Sequence, residues 1–145
     1  IMKYTLYENG KDKVPLENEL EFIRNYFNVN ISRYSSDVPI TLKITGNTTG
    51  LYIAPLITFV FIENAFKYGL KLKNNKFLNI TIKIKDLIFE ILIENDKIKF
   101  EKTEFSGLGI SNAIKRLNLL YPNRHILKIE ETETKFSVSL QINLK

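Results

Sequence analysis

The residues best suited to chemistry form an adjacent pair, Glu63-Asn64, at the end of the apolar run Ile57–Ile62. A carboxylate and an amide oxygen are hard donors that suit Mg²⁺, and a lysine ammonium neutralises phosphate. On a helix, at about 100° per residue, Glu63, Asn64, Lys67 and Lys71 share one side. The same residues also describe a solvated stripe with a Glu63–Lys67 ion pair at i, i+4. The pair alone does not choose between a metal–phosphate site and that stripe.

A second candidate is "FSGLGISNAIKRL", Phe105 to Leu117, where Gly107 and Gly109 lead directly into a helix. Glycine permits close backbone approach, and a helix N-terminus offers unpaired N–H groups to an anion. A plain loop capped by Ser106 fits equally well. No Gly-Lys-Ser/Thr follows, so this is not a Walker A loop, and the third glycine of a dinucleotide fingerprint is missing. A third candidate is "ILIENDKIKF", an apolar strand that ends in Glu94-Asn95-Asp96. Such side chains can read the edge of a base, and they are also ordinary strand-to-turn residues. His125 is the only histidine and there is no cysteine, which excludes thiolate zinc sites, disulfides and a hydrolytic triad. His125 reads as a turn or surface residue.

Helices and strands must hold these residues in place. Leu16, Leu20, Ile23, Phe27 and Ile31 recur at helical spacing, which predicts a helix from about Pro15 to Tyr34. Val38–Gly46 alternates and reads as a strand. A second helix is expected from about Tyr52 or Pro55 to Leu70, closed near Gly69. Leu78, Ile80, Ile82 and Ile84 alternate with polar residues, so Phe77–Lys85 and Leu87–Glu94 read as a hairpin. "LGISNAIKRLNLLYP" carries an apolar stripe and stops at Pro122, and strands His125–Glu131 and Lys135–Leu144 close the chain. Antiparallel pairs separated by helices predict a two-layer α/β sandwich: three helices on one face of a mixed, mostly antiparallel sheet.

The chain has 145 residues, 44% of them apolar, which suits one domain with a sizeable core. No stretch is apolar for long enough to span a bilayer. The net charge of +5 comes from scattered lysines without an aromatic-interleaved basic stripe, so no direct nucleic-acid contact is expected. The chain opens on Ile1-Met2 and reads as an excerpt, so any membrane span is expected upstream of it.

Taken in order, "APLITFVFIENAFKYGL", "EILIEND" and "SGLGISNAIKRLNLLYP" resemble the N box and the two glycine boxes of the GHKL ATPase superfamily. The closest resemblance is to LytS/YehU-type sensor histidine kinases, with their patterns "PLxxxxLVENAxKHG" and "GxGLxNxxxRLxxxY". "VPLENELEFIRNYFNVNISRY" is similar to their linker. The resemblance runs from about Val14 to the C-terminus. It implies a Bergerat-type fold, with residues 1–36 as linker helix and 37–145 as the ATP-binding domain.

The resemblance also implies roles. Asn64 would coordinate Mg²⁺ bridging the ATP phosphates, with Glu63 beside the metal and its waters and Lys67 reaching phosphate. Tyr68 stands where the subfamily has histidine. Asn95 stands where the family has the aspartate that accepts from the adenine amino group. Gly107, Leu108, Gly109 and Ile110 would bring the lid and helix start onto the nucleotide. Asn112 and Arg116 fall on family positions with a partly structural role. Lys97 occupies the place of the first-box glycine. The implied activity is transfer of the ATP γ-phosphoryl to a histidine upstream. A homodimer, a response regulator of the LytTR kind and a bacterial inner-membrane setting would go with it. Two alternatives remain open: a non-catalytic docking or dimerisation module, and an ATP-hydrolysing GHKL relative.

Overall fold

The computed structural model describes residues 13–97 and 108–145. Strand β1 (Val14–Pro15) leads without a loop into helix α1 (Leu16–Ile31), whose Leu16, Leu20, Ile23 and Phe27 are buried. After a turn come β2 (Ile40–Gly46) and the short β3 (Tyr52–Ile53), then helix α2 (Phe59–Tyr68). Strands β4 (Leu78–Lys85) and β5 (Ile88–Asp96) form a hairpin. Helix α3 (Leu108–Leu120) and the hairpin of β6 (His125–Glu131) and β7 (Lys135–Asn143) complete the chain.

The main sheet has the order β2-β4-β5-β7-β6. Among the described residues only β2 and β4 pair in parallel; the other ladders are antiparallel. Alternation does the sorting. Ile80, Ile82, Phe89, Ile91, Val138 and Leu140 face inward and are buried, while Thr81, Lys83, Glu90 and Ser139 face out. Burying each large apolar side chain contributes about 1.5–3 kcal/mol. The helices cover the inward face, giving the expected two-layer sandwich.

Among the differences from expectation are two helix boundaries and one short ladder. Helix α1 ends at Ile31 rather than near Tyr34, where the backbone turns with Arg33 and Tyr34 donating to the carbonyls of Asn30 and Ile31. Helix α2 begins only at Phe59, because Leu56 takes a left-handed φ of 59° just after Pro55. The two-residue ladder between β1 and β3 left no sequence signal, being too short for alternation.

Helix α1 shares one core with the sheet and the other helices. Tyr26 meets the rings of Phe59 and Phe66 edge-on, with centroids 4.8 and 5.9 Å away. Among the described residues no helix is long and apolar enough to cross a membrane.

Candidate functional site

Helix α2 is the spine of the site. Phe61, Ile62, Ala65 and Phe66 anchor it in the core. That rotation leaves Glu63 and Lys67 exposed and Asn64 and Tyr68 half-buried. Asn64 therefore stands at the border between core and solvent. Among the described residues no Glu63–Lys67 ion pair forms; the Lys67 ammonium lies 5.2 Å from the centroid of the Tyr68 ring. Glu63 shares a helix face with Phe59 and Phe66, the two rings that meet Tyr26. Burial raises the Tyr26 phenol pKa and the Glu63 carboxylate raises it further, while Arg33 opposes them. Glu63 thus belongs to the α1 side of the helix, one residue round from Asn64.

The far end of α2 meets the end of β5. Gly69 closes the helix with its N–H on the Ala65 carbonyl. Its φ of −84° is open to any residue, so conformation does not demand glycine here. Proximity does: a Cβ at Gly69 would stand 2.4 Å from Asn95 Nδ2. Asn95 is fully buried, and its Nδ2 donates to the Asp96 carbonyl at 2.7 Å. That bond fixes the orientation of the amide and leaves Oδ1 as an acceptor without a partner among the described residues. An unmatched buried acceptor costs about 1–3 kcal/mol, which a donor supplied by a ligand offsets. A 6-amino group of adenine is such a donor.

Asp96 is the residue that sequence reasoning undervalued. Its carboxylate accepts the backbone N–H groups of Leu70 at 2.8 Å, Leu72 at 2.8 Å and Phe77 at 3.0 Å. It gathers the segment between α2 and β4 around one buried charge and supports Leu70 at φ 58°. The available signal was a carboxylate placed directly after an apolar strand. Lys97, in the glycine position, is also buried. Its ammonium pairs with the Glu131 carboxylate and its N–H donates to the Thr134 carbonyl at 3.0 Å. The side chain is thereby drawn toward the β6–β7 hairpin.

Helix α3 meets the other end of α2. A Cβ at Gly109 would lie 3.0 Å from Val60 Cγ2, so the first turns of the two helices are in close approach. Ile110 is buried and Asn112 is exposed. Leu108 opens the helix. Gly107, with the rest of 98–107, lies outside the described residues. Arg116 is half-buried and groups with α1: burial lowers its pKa, and the Glu19 carboxylate and Tyr121 act to raise it. In sequence along α2, then, Val60 faces Gly109, Asn64 faces the solvent border and Gly69 faces Asn95.

Among the described residues no cluster of three His, Cys, Asp or Glu could hold a metal. The donors present, Asn64 with Glu63 adjacent, fit Mg²⁺ carried mainly by phosphates and water, since that ion often takes only one or two protein oxygens. His125 has its Nδ1 2.8 Å from the Tyr121 carbonyl, at the start of β6 and away from these residues in the chain.

The fold is that of histidine kinase catalytic domains. Superposition on the nucleotide-free catalytic domain of histidine kinase ThkA gives a TM-score of 0.63 at 14% identity, covering 91% of this chain and 95% of that one. The histidine kinase AdeS of Acinetobacter baumannii gives 0.60 at 15% identity, over 92% of this chain and 66% of that one. The histidine kinase domain of the blue-light-activated kinase EL346 from Erythrobacter litoralis gives 0.63 at 16%, over 90% and 62%. The chain thus spans less than two thirds of the AdeS and EL346 chains it matches. ThkA in complex with its response regulator TrrA also matches, with a TM-score of 0.58 at 14% identity. No protein-family profile and no curated protein sequence matches the chain.

Proposed function

We propose that this chain is the ATP-binding catalytic domain of a two-component sensor histidine kinase of the LytS/YehU type. The observation that carries the reading is the buried Asn95 oxygen, without a partner among the described residues and held against Gly69 at the end of the helix that bears Asn64. The acceptor reads the adenine amino group, and Gly69 leaves room for the Asn95 amide that carries it. Asn64 would hold Mg²⁺, with Glu63 next to it on the helix, and the ion would supply charge neutralisation. Lys67 reaches phosphate, and Gly109 at the start of α3 permits its close approach. The side chains orient the nucleotide so that the γ-phosphoryl passes to a histidine ring nitrogen and ADP leaves; positioning and electrostatics supply the catalysis. In this reading the acceptor histidine comes from another segment or chain.

A homodimer and a response regulator of the LytTR kind are the partners of this reading, and a bacterial inner-membrane sensor is its setting. ThkA supports the regulator by its complex with one. Mg-ATP titration by calorimetry tests the binding claim. The wild-type chain should release heat that disappears without Mg²⁺ and in Asn64→Ala; silence of the wild type at millimolar nucleotide would reject it. Lys97 in the glycine position favours a second reading, a docking or dimerisation module without phosphotransfer. Autophosphorylation of the protein with its acceptor segment would eliminate that module.

A further inference from the structure

The path into helix α2 is gripped from two sides. Leu16 at the start of α1 donates its N–H to the Leu51 carbonyl at 2.8 Å. Tyr121, just past α3, accepts the Ala54 N–H on its phenol oxygen at 2.9 Å. Glu19, a fully buried carboxylate in the first turns of α1, accepts the Leu56 N–H at 3.0 Å through Oε1. Leu56 is the residue forced into the left-handed region, and α2 starts three residues later. A branched side chain adopts that conformation only where its surroundings impose it. The bond from Glu19 is part of what imposes it here. Arg116 adds a cation on the α3 side of the same carboxylate.

We propose that Glu19 is a positioning residue that couples the conformation of Leu56, and hence the start of α2, to nucleotide affinity. This rests on the ATP-binding reading above. When the Leu56 bond is lost, the first turn of α2 is released. Val60 then no longer fixes Gly109, and the nucleotide site loosens. Linkage makes the effect reciprocal: nucleotide binding must tighten the Glu19–Leu56 bond.

The test uses the whole chain and Mg-ATP. Amide hydrogen exchange is followed at Ala54 and Leu56 with and without nucleotide, alongside calorimetric affinity, in wild type, Glu19→Gln and Glu19→Ala. Glutamine keeps an acceptor oxygen and alanine does not. Mg-ATP should slow exchange at Leu56 in the wild type and in Glu19→Gln. Glu19→Ala should bind about tenfold more weakly and lose that protection, within the usual range of coupling between sites. Nucleotide binding that leaves Leu56 exchange unchanged in the wild type overturns the coupling, and does so even if Glu19→Ala fails to fold. So does a folded Glu19→Ala that binds like the wild type. Both results leave the ATP-binding reading standing. Failure of the wild type to bind Mg-ATP removes that reading and the coupling with it.

Discussion

Gly69 and Asn95 are in such close approach that a single methyl group on Gly69 would sit 2.4 Å from the asparagine amide nitrogen. The Ala65 carbonyl, 2.5 Å from the same point, blocks the other way out. Gly69→Ala must therefore push Asn95 from its place. Overpacking of this kind costs about 1–3 kcal/mol. Urea denaturation should show that loss, and Mg-ATP affinity should fall further than stability does, because the displaced group is the one proposed to read adenine.

Asn95→Asp should weaken the protein, although it would restore the residue found in the family pattern. The amide nitrogen donates to the Asp96 carbonyl, and a carboxylate would present a lone pair there instead. It would also place a second buried charge next to that of Asp96. A loss of roughly 2 kcal/mol or more is expected from the broken bond and the unmatched charge. Equilibrium unfolding at neutral pH checks this; a variant as stable as the wild type would contradict it.

Asp96→Asn removes one of the acceptors that gather three backbone donors. The new NH₂ group must then face a backbone N–H. Hydrogen bonds to a charged group are worth about 1.5–3 kcal/mol, and a destabilisation of that order is expected. The specific mark is faster amide exchange at Leu70, Leu72 and Phe77, with the strands β5 and β7 little changed.

Tyr121→Phe keeps the ring in the core and removes the oxygen that receives the Ala54 N–H. The stranded buried donor should cost about 1–3 kcal/mol. Burial, the leading cause, raises the phenol of Tyr121 above its usual 10.0, and that of Tyr26 likewise. The folded state thus holds those protons longer than the unfolded one. Their stabilisation is complete below pH 10.0 and declines as pH rises through the folded-state values. Unfolding midpoints measured at neutral pH and above pH 10 should fall in the wild type, and fall less in Tyr121→Phe.

Much of this architecture was legible from periodicity. The alternation of Leu78, Ile80, Ile82 and Ile84 specifies which face of β4 is buried, because a shift of one residue would turn all four to solvent. The stripe through Ile110, Ala113 and Leu117 specifies the buried side of α3 in the same way. The start of α2 was not legible. "YIAPLITF" is apolar but for Thr58, and what delays the helix to Phe59 is a pair of bonds accepted by Glu19 and Tyr121, residues 37 and 67 positions from their donors. The site was half legible: Glu63 and Asn64 are visible as polar residues ending an apolar run, but their different neighbours are not.

By itself, then, the sequence determined the elements, their buried faces and the order of the candidate motifs, since these follow from local periodicity and turn chemistry. Only the tertiary structure decided what each polar residue meets. It put Glu63 on the α1 side of Asn64, made Gly69 necessary through contact rather than conformation, and turned Asp96 from a turn residue into the anchor of the 70–77 segment. It also left Asn95 with one buried oxygen to offer. Such roles depend on which donors and acceptors are brought together from distant parts of the chain, and no local pattern records that.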